Sequence, residues 1–240
     1  MLKVKLPTAK LAERSDITSD LMIIKLEPEE GPFVFKPGQY CTLGLEGIER
    51  AYSIVSAPHE PFLEIFVELV PDGALTPLLW KMNSGDTISI RPRPKGLFLL
   101  DRKVHHHFML ATVTGVAPYI SMIRSYLHDG GEGHKFYVLL GASYADELTY
   151  DKELAEMAAQ HPYVIKFVPT VSRPGEERNS EWTGVKGRVN AVAEEFLETF
   201  ELPMDDTRVY TCGHPGMIED VKAKIPPKGW KFIEERFWKA

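Results

Sequence analysis

The chain has 240 residues, of which 44% are hydrophobic and 26% charged, and a formal net charge of −6. That length can bury one large core or two modest ones, and the composition is that of a globular protein rather than a disordered one. The acidic balance argues against nucleic acid as the main ligand. No apolar run approaches the ~18 to 20 residues that membrane insertion needs, and Met1-Leu2-Lys3-Val4-Lys5 has no secretion-signal core, so a cytoplasmic protein is expected.

Up to about Asp101 the chain reads as short strands broken by Pro28, Gly31, Pro37, Gly44, Pro58, Pro71, Gly85, Pro92 and Pro94, a spacing that favours an antiparallel barrel or sandwich. Pro37-Gly38 turns into a strand beginning Tyr40-Cys41-Thr42-Leu43. Arg50-Ala51-Tyr52-Ser53 then sets a guanidinium, an aromatic ring and a hydroxyl in one short stretch. These are a phosphate partner, a stacking surface and a hydrogen-bond donor, which suits a flavin dinucleotide. Leu63 to Val70 alternates as a further strand. After it, Gly73-Ala74-Leu75-Thr76 offers a flexible turn with backbone N–H groups free for phosphate, ahead of a helix over Thr76 to Met82. Thr76 is expected to cap that helix and Pro77 to occupy its first turn. Asn83 to Asp86 stops it before a strand from Thr87 to Arg91.

Beyond about Lys103 strands and helices alternate. Strands are expected over 108–112, 135–140, 164–170 and 208–212, and helices over 119–127, 151–160, 189–199 and 215–223, which implies a parallel sheet with helices on both faces. Ligands of such sheets bind beyond the carboxyl ends of the strands. His105-His106-His107 precedes the first strand as a junction segment. Neighbouring strand residues point to opposite faces, so no shared metal is expected there. The small residues of Ala111-Thr112-Val113-Thr114-Gly115-Val116-Ala117-Pro118 allow close approach of a dinucleotide, without the Gly-x-Gly-x-x-Gly pattern. Glu29-Glu30 and Glu176-Glu177 read as solvated loop charges. Cys41 and Cys212 are too few for a disulfide framework or a four-thiolate iron–sulfur cluster, so a one-electron partner would be another protein. Phe237 and Trp238, so near the terminus, require something to pack against.

Taken together, Arg50-Ala51-Tyr52-Ser53, Gly73-Ala74-Leu75-Thr76, Thr114-Gly115-Val116-Ala117-Pro118 and Cys212-Gly213-His214-Pro215-Gly216-Met217 resemble the ferredoxin–NADP reductase family, in particular its bacterial branch, along nearly the whole chain. The resemblance implies two domains: an antiparallel β-barrel FAD-binding domain over 1–102, followed by an α/β parallel-sheet NADP-binding domain over 103–240 with a C-terminal flavin-covering tail. It implies that Arg50 neutralises the pyrophosphate, Tyr52 stacks on the isoalloxazine and Ser53 stands near the ring nitrogen that exchanges hydride, with Ala51 among the cofactor-binding residues. Phe66, Val67 and Glu68 would line the flavin and ribitol, with Gly73, Ala74, Leu75 and Thr76 around the phosphates. Thr114, Gly115, Pro118, Cys212 and Gly213 would lie on the nicotinamide side. Glu235 would stand near the hydride site, Phe237 would cover the isoalloxazine and Trp238 would meet adenine.

Ser172, Arg173 and Arg188 would receive the 2′-phosphate, since forked guanidinium donors match it better than a carboxylate. The chain departs from the bacterial pattern at Ser143, where relatives commonly carry a third Arg, which narrows the margin of NADP over NAD. The implied activity is exchange of hydride with NADP(H) and of single electrons with ferredoxin or flavodoxin, by a monomer. The rival readings are an NAD(P)H-dependent flavin reductase, an electron-transfer subunit of a larger complex, and a non-catalytic binding module.

Overall fold

The computed structural model describes residues 6–236, whose contacts group them into two compact units. The first unit contains β1 (Thr8–Asp16), β2 (Leu21–Pro28), β3 (Tyr40–Leu45), β4 (Ile48–Ser53), β5 (Leu63–Glu68), the short helix α1 (Thr76–Leu79) and β6 (Thr87–Ile90). These strands form an antiparallel sheet in the order β4-β3-β6-β1-β2-β5. Its two end strands meet at an Ile54–Ile65 bridge and at a bond from the Val55 N–H to the Glu64 carbonyl (2.8 Å), so the sheet closes on itself. Closure removes the exposed edges that an open sheet would leave. Period-two alternation sends Leu11, Ile24, Leu43, Ile65 and Val67 into one buried core, which Leu75 and Leu79 also join.

The helix α2 (Ala117–His128) also groups with this unit. Its Ser121 hydroxyl donates to the Ser56 carbonyl at 2.7 Å, and Arg124 pairs with Glu60 and Glu64, each at 3.3 Å. The change of grammar along the chain sets a boundary at 102/103, whereas the contacts cut at 100/101 and give 117–129 to the barrel. The periodicity of a helix reports that it has a buried face and carries no information on which sheet that face meets.

The second unit contains β7 (His106–Thr112), β8 (Lys135–Ala142), α3 (Asp151–Gln160), β9 (Ile165–Val171), β10 (Val185–Lys186), α4 (Val189–Thr199), β11 (Thr207–Cys212), α5 (Pro215–Lys224) and β12 (Lys231–Glu235). All six strands are parallel, in the order β10-β9-β8-β7-β11-β12. Phe108, Leu110, Leu139 and Val209 pack in one core with Val189, Ala193 and Leu197 of α4 and Met217, Ile218 and Val221 of α5. The chain runs outward from β7 to β10 and then returns to β11, so the sheet reverses direction between β7 and β11. That reversal opens a crevice at the carboxyl ends of these two strands, the usual ligand position in such sheets.

The helices α3 and α4 have the bounds expected from sequence. The helix α2 begins at Ala117 instead of 119, after a 3-10 turn over Val113–Val116, and β12 forms where only a tail was expected.

Candidate functional site

Arg50 and Ala51 are exposed in the middle of β4, Tyr52 is half-buried against the barrel core, and Ser53 is buried opposite Tyr40 of β3. Burial pushes the Tyr52 phenol well above its ordinary range, so it remains a neutral ring and a hydrogen-bonding hydroxyl. The Arg50 guanidinium donates to the Glu49 carbonyl at 2.8 Å and has no carboxylate partner among the described residues. Beyond the Ile54–Ile65 bridge no ladder joins β4 to β5, and the antiparallel sense sets Tyr52 and Ser53 on one side of this open stretch and Phe66 and Val67 on the other.

Val67 is inside the barrel core, so its side chain cannot line a ligand on the outer wall. By alternation Phe66 and Glu68 lie on the other face of β5. Leu75 likewise points into the core, and of its groups only backbone is left for a phosphate. Thr76 does not cap α1. The N-cap is Leu75, while the Thr76 hydroxyl accepts from the Val70 N–H and donates to the Val70 carbonyl, both at 3.0 Å. That hydroxyl is therefore spent on closing the turn, in place of the phosphate contact that the sequence suggested. Gly73 makes the turn possible, because a Cβ there would meet the Val70 carbonyl oxygen at 2.9 Å. The Ala74 and Leu75 N–H groups find no acceptor among the described residues, which suits a phosphate there.

In the second unit the turns after β7 and β11 interlock. A Cβ on Gly115 would come within 2.2 Å of the Cys212 carbonyl oxygen, and one on Gly213 within 2.2 Å of the Thr112 hydroxyl. Gly213 has φ +122°, and the His214 N–H that follows donates to that same hydroxyl at 2.7 Å. Backbones so close leave no room for side chains, which is why both positions are glycine. Val113 takes φ +43°, a strained value for a β-branched residue. Thr114 is 9% exposed, and its hydroxyl has no partner among the described residues.

Cys212 is fully buried, and burial, with the Glu235 carboxylate adding to it, holds its thiol well above the usual range. It is thus a neutral packing surface. Glu235 stands on the same rung of the sheet, paired in register with Cys212. Pro118 lies in the first turn of α2, buried, and groups with the barrel unit rather than with Thr114 and Gly115. Phe237 and Trp238 lie outside the described residues.

Ser172 and Arg173 follow β9, and the Gly187 N–H donates to the Val171 carbonyl at 2.8 Å, which brings Arg188 beside the same strand end. Arg188 is exposed with no acceptor among the described residues. Arg173 is engaged: it donates to the Tyr144 hydroxyl at 2.9 Å and pairs with Glu176 at 3.5 Å. Glu176, read from sequence as a solvated loop charge, also accepts from the Tyr144 hydroxyl. Arg178 stacks over the Tyr144 ring at 4.1 Å and pairs with Asp146 at 2.8 Å. Asn179, 2% exposed, clamps the two loops. Its amide donates to the Ser143 and Arg173 carbonyls (2.9 and 3.0 Å) and accepts from the Ala145 N–H (2.9 Å). The contacts of Tyr144, Glu176, Arg178 and Asn179 were not foreseen from sequence, because loops carry no periodicity. The only local signal was an Asn among charged residues after a Pro-Gly pair.

Among the described residues no three His, Cys, Asp or Glu side chains converge to hold a metal ion, and no helix is long and apolar enough to cross a membrane. The open barrel wall, the uncommitted Arg50, the free N–H groups of the Gly73 turn and the glycine-lined crevice at the sheet reversal fit one dinucleotide on each unit. This arrangement defines a two-domain flavin- and nicotinamide-binding oxidoreductase. Residues 8–99 match the oxidoreductase FAD-binding domain and residues 109–223 the oxidoreductase NAD-binding domain. The flavodoxin/ferredoxin–NADP reductase of Escherichia coli is 31% identical over 226 residues, covering 90% of this chain and 88% of that protein. The ferredoxin–NADP reductase of Pseudomonas aeruginosa is 30% identical over 211 residues, covering 82% and 80%. A crystal structure of a ferredoxin NADP+ reductase from Neisseria gonorrhoeae, with bound FAD and NADP, superposes with a TM-score of 0.85 at 25% identity, covering 98% of this chain and 100% of that one. The chain belongs to the ferredoxin (flavodoxin)–NADP reductase family.

Proposed function

We propose that the protein is an FAD-dependent reductase that exchanges hydride with NADP(H) and single electrons with ferredoxin or flavodoxin, as a monomer in the cytoplasm. The observation that carries this reading is the guanidinium of Arg50, without a carboxylate partner among the described residues, beside the packed ring of Tyr52 on an unladdered stretch of barrel wall. When bound, FAD supplies the conversion between a two-electron hydride donor and one-electron partners. The residues bind and orient. Arg50 and the N–H groups of Ala74 and Leu75 neutralise the pyrophosphate, and Tyr52 offers its ring face to the isoalloxazine. Ser53 would be a polar group beside the flavin, with Phe66 and Glu68 flanking it from β5, and Glu235 would be a polar group on the nicotinamide-binding unit.

Thr114, whose hydroxyl has no partner among the described residues, would contact the nicotinamide side, and Gly115 and Gly213 would let the nucleotide backbone approach. Cys212 remains a thiol through the working pH range and packs without acting as a nucleophile. Ser172, Arg173 and Arg188 form the 2′-phosphate subsite.

A visible absorption spectrum of the purified protein, followed by titration with NADPH and with NADH, tests the reading. Flavin bands that bleach on adding NADPH are expected. Folded protein that takes up no FAD from an excess, or whose flavin neither nucleotide bleaches, overturns it. Tyr52→Ala should weaken FAD retention by about 1–3 kcal/mol, the scale of aromatic–base stacking, in a fluorescence titration of the apoprotein.

A further inference from the structure

The nucleotide subsite of the second unit contains a carboxylate in contact with its cation. We propose that Glu176 sets the nucleotide selectivity of this protein, by competing with the 2′-phosphate for Arg173 and Tyr144 and by favouring a free ribose hydroxyl instead. The inference rests on the 2′-phosphate subsite assigned above and deepens it.

Arg173 meets Glu176 at 3.5 Å and the Tyr144 hydroxyl at 2.9 Å, and that hydroxyl in turn donates to Glu176. One guanidinium, one phenol and one carboxylate thus close a three-membered ring in which the carboxylate occupies the place an incoming phosphate dianion would take. The neighbouring cation is no substitute. Arg178 is held by Asp146 at 2.8 and 3.0 Å and by Glu147 at 3.6 Å, and lies over the opposite partner of the ring, Tyr144. Glu147 is itself fixed by the Ser143 and Tyr144 N–H groups (3.0 and 3.1 Å), so its charge cannot leave. Of Arg173, Arg178 and Arg188, Arg188 alone is without an acceptor among the described residues.

A 2′-phosphate must therefore displace Glu176 or bind beside it, and either raises the free energy of the phosphorylated nucleotide. A ribose 2′-hydroxyl is a hydrogen-bond donor and meets no such opposition, since a carboxylate is its natural acceptor. Glu176 and Arg173 are both about half exposed (51% and 53%), so the competition is screened and its size modest.

The test uses the FAD-loaded protein and two probes that differ only in the phosphate, adenosine 2′,5′-bisphosphate and adenosine 5′-monophosphate, titrated by calorimetry. Glu176→Gln keeps the shape and removes the charge. It should tighten the bisphosphate by about two- to fivefold, the range of a half-exposed charge contact, and leave the monophosphate unchanged. The kcat/KM ratio of NADPH to NADH should rise by the same factor. In the Arg173→Ala background the gain from Glu176→Gln should shrink, because the carboxylate then has only the Tyr144 hydroxyl left to hold. Equal shifts for both probes, or no shift for the bisphosphate, overturn the proposal while leaving the subsite standing. A wild-type protein that binds neither probe and oxidises neither nucleotide overturns the subsite itself, and the proposal with it.

Discussion

At the scale of single residues the crevice of the parallel sheet is set by three backbone positions. Val113 stands where small residues were read from the sequence, and its positive φ shows what glycine would have relieved. A left-handed β-branched residue costs ~1–2 kcal/mol, against ~1 kcal/mol for the extra chain entropy of glycine. Val113→Gly should therefore be neutral or stabilising by up to ~1 kcal/mol in urea unfolding. Gly115→Ala should go the other way. Its methyl would meet the carbonyl of Cys212, a backbone atom that can retreat only by moving the β11 turn, and overpacking of that kind costs about 1–3 kcal/mol. A Gly115→Ala protein as stable as the wild type would show that the two turns are not locked together. The residue types of these turns were legible in the sequence. What was not legible is that Val67, Leu75 and Thr76 spend their side chains inward, because a motif fixes residue order while the pleat and the turn decide which way each side chain points.

At the scale of elements, the helices α3 and α4 were legible to the residue, since each repeats apolar positions on one face and stops at a loop. The contacts within the loops after β8 and β9 were not, and these loops carry the proposed nucleotide subsite. Asn179 ties them by two donated bonds and one accepted bond, all to backbone. Asn179→Ala should cost about 1–3 kcal/mol, because it leaves the Ser143 carbonyl and the Ala145 N–H unpartnered and takes from the Arg173 carbonyl one of its two donors, the other being the Glu176 N–H. The KM for NADPH should rise with little change in kcat, as the subsite loosens away from the reacting rings. Asn179→Asp separates positioning from bulk. It retains the acceptor for Ala145 and loses both donations, so its KM should lie near that of the alanine variant. An Asp variant with wild-type KM would remove the clamp.

At the scale of the molecule, strand–helix alternation made the parallel sheet legible, but not the cluster of rings at the amino-terminal edge of that sheet. His107 is fully buried, with its Nε2 3.0 Å from His134 Nδ1, its ring near Phe136 and Tyr210, and its own Nδ1 without a partner among the described residues. Burial first, then the neighbouring His134, pull its pKa down from 6.5 to about 3, against the weaker opposing pull of Asp101 and Asp206. The folded state therefore holds His107 neutral where the unfolded chain would protonate it. Since unfolded protein binds the extra proton between pH 6.5 and about 3, stability is complete above 6.5 and falls as the pH drops through that window, by about 1.4 kcal/mol per unit from this group alone. His106 and His134 are shifted in the same direction by burial and steepen the loss, whereas Asp101 and Asp206, held low by Arg208 and by His105, add theirs only below their ordinary range near 3.8. Unfolding followed by circular dichroism from pH 7 to 4.5 isolates the histidine window from the carboxylates. Wild-type stability should decline across it, and His107→Phe, which fills the same aromatic pocket without a titrating nitrogen, should flatten the slope by about 1.4 kcal/mol per pH unit. An unchanged slope in that variant would mean that the buried imidazole reaches solvent and protonates in place, and that the acid sensitivity of the sheet lies with other groups.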